Sequence, residues 1–129
     1  MRTKTRLAVL LIVVISAALS FATVAGDGAW LTKVPTGEQA KANPFKGDKD
    51  AVSAGRRVYV DHCAHCHGES AEGTKKRPPL KSDRIQHQAT EGDLHWLLVN
   101  GSMKKGMPTW SKLGDPQIWQ VITYLKSLQ

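Results

Sequence analysis

Cys63-Ala64-His65-Cys66-His67 is the stretch from which the rest of this 129-residue chain can be placed. Two thiols three positions apart can each add across a vinyl group of haem, and a histidine directly after the second thiol is held beneath the iron. The pentapeptide therefore predicts one covalent haem c, bonded through Cys63 and Cys66, with His67 as proximal iron ligand. These are the only cysteines in the chain, so none remains for a disulfide or a lipid anchor. Two other chemistries use similar residues. A thioredoxin-like redox pair sits in a βαβ setting, and no strand pattern flanks this motif. A structural zinc site takes four ligands, and adjacent Cys66 and His67 do not easily face one tetrahedral ion alongside Cys63. His62 and His65 are expected to be exposed neighbours of the motif rather than ligands.

Upstream of the motif, Asp48 or Asp50 can cap a helix and complement its positive end. Val52, Gly55, Tyr59 and His62-Cys63 recur at helical spacing, so one face of that helix runs into the motif. Glycine in a helix interior costs about 1 kcal/mol relative to alanine, so Gly55 predicts close approach by a second element. Residues 27–49 carry Trp30, Leu31, Val34 and Phe45 without a helical or strand period, and Asn43-Pro44 and Lys46-Gly47-Asp48 are turn signals. An extended arm is expected there, either a flexible linker or a strap that lays Trp30 or Phe45 on the domain. At the N-terminus, Arg2, Lys4 and Arg6 precede an apolar run at 7–19 and then small residues, the pattern of a secretory signal cleaved after Ala25 or, alternatively, Gly26. Left uncleaved, residues 7–25 are just long enough to cross a bilayer. The chain thus divides into a signal peptide (1–25), an arm (26–50) and a haem domain (51–129), with the haem domain in the periplasm.

Downstream, residues 68–80 form a polar loop without period that should wrap the haem edge. Residues 81–90 are expected to be irregular or a short helix. Glu91-Gly92-Asp93 leads into Leu94, Leu97 and Leu98 and stops at Asn100-Gly101, which predicts a short amphipathic helix. Trp96 is expected to cover the haem or lie half exposed, its indole seeking a partner such as a propionate. His95 is expected at the surface. The Gly- and Pro-bounded stretch at 101–110 contains Met103 and Met107, and a loop of this kind lets a thioether reach the distal side of the iron. Asp115-Pro116 is a helix start with Asp115 as cap residue and proline at the first helical position. Ile118, Val121, Ile122, Leu125 and Leu128 then make an apolar stripe to the terminus.

Gly55, Tyr59 and the haem motif, together with Pro78-Pro79-Leu80, Met107-Pro108 and the last helix, resemble class I monohaem c-type cytochromes. The resemblance covers residues 51–129. It implies an all-α fold of three main helices around a covalently attached haem, with Gly55 and Tyr59 crossing the last helix at Tyr124. It also implies that a proline carbonyl, from Pro78 or Pro79, accepts the second ring N–H of His67, and that Met107 is the axial ligand opposite His67. Met103, His87 or an open position are the alternatives for that ligand. Cys63, Cys66, His67, Met107, Pro78, Tyr59 and Trp96 are the residues expected around the cofactor, with His67 and Met107 on the metal. The Asn43-Pro44 arm and Trp110 also resemble small periplasmic cytochromes that accept electrons from quinoprotein alcohol dehydrogenases.

Charge bears on partners. The full chain has 18 Lys+Arg against 11 Asp+Glu, net +7, and loss of Arg2, Lys4 and Arg6 leaves 15 against 11, net +4. A mildly basic protein favours redox partners with an acidic docking face, and no base-reading motif points to nucleic acid. Lys75-Lys76-Arg77 and Lys104-Lys105 are five cations that the resemblance brings near the haem edge. A monomer is expected, with membrane contact only if the signal segment stays. The function expected is one-electron transfer by a soluble periplasmic shuttle, with no bond chemistry of its own. The alternatives are a haem subunit of a dehydrogenase or oxidase complex and an open-site sensor or peroxidase, the latter disfavoured because no distal acid–base pair is evident.

Overall fold

Asp48 sets where the first long helix begins. Its Oδ1 accepts from the backbone N–H of Asp50 at 2.8 Å and of Ala51 at 3.1 Å, satisfying two of the donors that a helix start leaves free. The computed structural model describes residues 29–129, so the signal segment expected at 1–25 lies outside the described residues. In chain order the α-helices are α1 (Thr36–Gln39), α2 (Lys49–His62), α3 (Ala64–His67), α4 (Glu91–Asn100) and α5 (Asp115–Lys126). A 3₁₀ turn at Leu31–Lys33 precedes α1, a π-helical turn spans Arg84–Gln88, and 3₁₀ turns at Met103–Lys105 and Ser111–Leu113 flank the loop before α5. Among the described residues there is no strand, only the isolated bridge between Ser102 and Met107. The fold is all-α, as expected.

The framework is the crossing of α2 and α5. Ala51, Gly55, Val58 and Tyr59 are the buried positions of α2, and Ile118, Trp119 and residues 121–125 are those of α5. Gly55 makes the close approach that its helical cost implied. A Cβ there would lie 2.5 Å from the Gln120 carbonyl carbon, nearer still to its oxygen, and 3.0 Å from Tyr124 Cβ. One turn on, Tyr59 is fully buried and meets Tyr124 with ring centroids 5.3 Å apart at 52°. The Tyr59 hydroxyl donates to Gly68 O at 2.6 Å, tying the crossing to the residue after His67.

The start of α5 differs in detail from expectation. Gly114 (φ 76) is the N-cap, and Asp115 is the first helical residue without a side-chain cap bond, because its carboxylate faces His95 instead. At α4, Thr90 and Asp93 form a reciprocal capping box of 3.0 and 2.7 Å. The π-helical turn ends on Lys126, whose Nζ donates to the carbonyls of Ile85 (2.6 Å), Gln86 (3.0 Å) and Ala89 (2.7 Å).

The arm is a strap and not a plain extended segment. Its 3₁₀ turn and α1 are three and four residues long, too short for a period to be legible. Asn43 is buried and its Nδ2 donates to Thr123 Oγ1 at 2.9 Å, while Thr90 Oγ1 donates to Gln39 O at 3.1 Å. Trp30, Leu31 and Phe45 pack against the core.

Candidate functional site

The pieces that meet around the haem motif come from elements spread over the described residues. α3 is one turn long and begins at the C-cap of α2, so Cys63, Cys66 and His67 are presented as the crossing helix ends. They line an open-mouthed cavity of about 290 Å³ together with Pro78, Pro79 and Leu80 from the following loop, Ile85 from the π turn, and Leu94, Leu97 and Leu98 from α4. Met107, Pro108 and Trp110 from the loop before α5, Val121 and Leu125 from α5, and Trp30 of the arm complete its lining. The lining is overwhelmingly apolar, as a macrocycle requires.

His67 Nδ1 lies 2.9 Å from Pro78 O. A carbonyl only accepts, so Nδ1 carries the proton and Nε2 is left with its lone pair for a metal. Pro78 is thus the proline whose carbonyl reaches the ring, a choice the sequence left open between two neighbours. The loop holding it is braced: Gly73 N–H donates to His67 O at 2.7 Å, and Leu80 N–H to Ala71 O at 2.9 Å. Neither cysteine is in a disulfide, and burial, with the nearby Cys66 second, pushes the Cys63 thiol up to about 11.

Met107 enters the cavity because its loop is pinned at both ends. Ser102 N–H donates to Met107 O at 2.8 Å and Met107 N–H to Ser102 O at 3.1 Å, closing residues 103–106 into a tip. Met103 sits in that tip and is 71% exposed, off the cavity lining, which separates the two methionines.

Other expected residues lie elsewhere. Tyr59 is not in the cavity wall; it sits behind it, spent on the helix crossing and on Gly68. Trp96 is also off the wall: Leu94, Leu97 and Leu98 face the cavity, and Trp96, two steps of about 100° from Leu94, falls on the opposite side of α4. His95 is not at the surface but 4% exposed. Its ring stacks on Trp119 with centroids 4.2 Å apart, and its Nε2 donates to Asp115 Oδ1 at 3.1 Å. No local pattern announced this, because the partner is twenty residues away and becomes adjacent only when α5 docks. Trp110 and Trp30 are wall residues not expected at the cofactor; Trp110 also meets His62, ring centroids 5.4 Å apart. His62 and His65 are exposed. Of the five cations, Lys76, Arg77 and Lys105 are at the cavity, and the Arg77 guanidinium is committed to backbone carbonyls of the Met107 loop.

The donor set fits haem c: two unpaired thiols, an imidazole nitrogen with a free lone pair, and a thioether around one apolar cavity. Comparison with known proteins agrees. The family described as cytochrome C oxidase, cbb3-type, subunit III matches residues 50–125, more than half of the chain. The chain belongs to that family. Its cofactor is haem c attached through Cys63 and Cys66. A cbb3-type cytochrome c oxidase subunit CcoP of Rubrivivax gelatinosus is 29% identical over 88 residues, 67% of this chain and 29% of that protein. The CcoP of Azospirillum brasilense is 33% identical over 93 residues, 67% of this chain and 31% of its own length. FixP of Sinorhizobium medicae is 34% identical over 80 residues, 60% and 27%. The chain therefore spans under a third of these curated relatives. Among the described residues, no helix is long and apolar enough to cross a membrane.

Proposed function

We propose that this cbb3-type haem domain works as the haem subunit of an oxidase complex on the periplasmic side of the membrane, in which His67 and Met107 would hold the haem iron. The observation that carries the proposal is that Cys63, Cys66, His67 and Met107 all lie in the wall of one apolar cavity, in a chain whose relatives are named as oxidase subunits. Haem c, when bound, supplies a one-electron couple. The chain's residues do the rest. Pro78 O fixes the His67 tautomer and raises the basicity of Nε2. The leucines and Trp110 exclude water, which favours the state of lower charge and so a higher potential. With His67 and Met107 both holding the iron, peroxide or oxygen would find no vacancy, and the role of the chain would be to pass electrons.

The sequence alone favoured a diffusing shuttle over a subunit, and the matching relatives reverse that preference. The mild positive charge and the cations at the cavity mouth support docking on an acidic partner surface. The test is to purify the tagged full chain from detergent-solubilised membranes. Recovery with an oxygen-reducing complex that persists in high salt is the expected result. Release of the chain alone at every salt concentration, with efficient electron exchange with soluble partners, would return the shuttle reading.

A further inference from the structure

Arg77 joins the two loops that carry the proposed axial ligands. Its backbone is set in a tight turn: Thr74 N–H donates to Arg77 O at 2.9 Å, Arg77 N–H to Thr74 O at 3.3 Å and to Thr74 Oγ1 at 3.2 Å. The next residue, Pro78, gives its carbonyl to His67. From this fixed point the side chain reaches the other loop, where Nη1 donates to Lys105 O at 2.6 Å and Nη2 to Gly106 O at 3.2 Å. Those two carbonyls belong to the tip closed by the Ser102–Met107 pair, and Gly106 directly precedes Met107.

The tip is shaped to take the guanidinium. Gly106 has φ +73, a conformation that suits glycine, and a Cβ there would lie 2.8 Å from Arg77 Nη2. A planar fork with fixed donors, charged at every accessible pH, orients two carbonyls at once; a lysine offers a point charge on a flexible stem. Within the tip, Lys105 N–H donates to Ser102 O and Gly106 N–H to Met103 O, both at 2.9 Å, so the tip is a closed turn that the Arg77 fork ties to the other loop.

We propose that Arg77 is a positioning residue for Met107, latching the distal loop to the proximal loop so that the thioether stays in the cavity. The proposal rests on the axial-ligand reading above. One residue then couples the placement of both ligands: its main chain through Pro78 to His67, its side chain through Gly106 to Met107. Losing the fork unties the tip from the proximal loop while the Ser102–Met107 pair still closes its base, so the thioether should leave more often without being lost.

The test uses the ferric holoprotein and follows imidazole entry at the iron by loss of the sulfur-to-iron charge-transfer band. Arg77→Gln should keep the band but take up imidazole about tenfold faster, the scale expected for losing a charge-assisted hydrogen bond. Arg77→Lys should fall between it and wild type. Lys75→Gln, which removes the same charge from the same loop, should match wild type. Gly55→Ala, which loosens the helix crossing and leaves Arg77 and its acceptors unchanged, should accelerate entry less than Arg77→Gln. A wild-type protein without the band would overturn the axial-ligand reading and the latch with it. A wild-type band with an unchanged rate in Arg77→Gln would overturn the latch alone, including where only the potential moves. Equal acceleration in Gly55→Ala or in Lys75→Gln would do the same.

Discussion

Gly55→Ala sets helix propensity against packing, and the structure says which wins. On an isolated helix the substitution is favourable by about 1 kcal/mol. In the folded chain the new methyl would stand 2.5 Å from the Gln120 carbonyl carbon and 3.0 Å from Tyr124 Cβ. Ordinary carbon contacts begin near 3.5 Å, so the helices must part by roughly 1 Å. The obstructing atoms are mainly backbone of α5, which cannot rotate aside as a side-chain tip would. Parting the helices loosens the Tyr59–Tyr124 contact and the packing of Ile122 beside it, all of them buried. Overpacking of this kind costs about 1–3 kcal/mol, occasionally more. Because the clash is with main chain, the upper part of that range applies, and after the propensity gain a net loss of about 2 kcal/mol is expected. For a domain of this size that lowers the melting temperature by roughly 10 °C. Thermal and denaturant unfolding of the holoprotein, followed by far-ultraviolet circular dichroism, measures it. A melting temperature equal to or above wild type would refute the reasoning, since it would mean that propensity, and not the crossing, governs position 55.

Three other perturbations probe the site and its supports. Met107→Ala should lower the reduction potential and abolish the sulfur-to-iron band, whereas Met103→Ala, altering an exposed side chain, should leave both as they are; redox titration and visible spectra decide. Lys126→Met leaves the carbonyls of Ile85, Gln86 and Ala89 without their shared donor and should cost about 1–3 kcal/mol in denaturant unfolding. Burial holds the Lys126 ammonium below its ordinary value. Between the two values the unfolded chain binds more protons than the folded one, so this residue's contribution to stability rises as pH climbs through that window. Unfolding free energies measured across the alkaline range should show that rise in wild type and lose it in Lys126→Met. Changing Lys75, Lys76, Lys104 and Lys105 to Glu should slow electron exchange with an acidic partner at low salt and leave the potential nearly unchanged. Identical rates for variant and wild type across an ionic-strength series would remove these cations from docking.

The local chemistry of this protein is written in its sequence. Thiols at 63 and 66 with an imidazole at 67 define a haem attachment whatever surrounds them, because spacing along the chain alone sets their reach. The helix start at Asp48, the stop at Gly101 and the apolar stripe of α5 are equally local, since each depends on neighbours within a turn or two. Gly55 marked a close crossing in advance because a residue that weakens its own helix needs a reason from outside it.

What depended on the third dimension was every choice between near-equivalent residues. Pro78 and Pro79 differ in sequence by one position, and only the fold of the loop brings the carbonyl of Pro78 to His67. Met103 and Met107 share one short loop, and the Ser102–Met107 pair turns one thioether inward and leaves the other in solvent. Trp96 and Trp110 are both plausible neighbours of a haem, yet the rotation of α4 takes the first away while the backbone bond from Trp110 to Leu98 O holds the second at the wall. His95 became a core residue through Asp115 and Trp119, and Arg77 became a bridge through carbonyls twenty-eight and twenty-nine positions on. Partners that distant carry no periodic signal; they become neighbours only once α5 has crossed α2 and drawn the loops around the cavity.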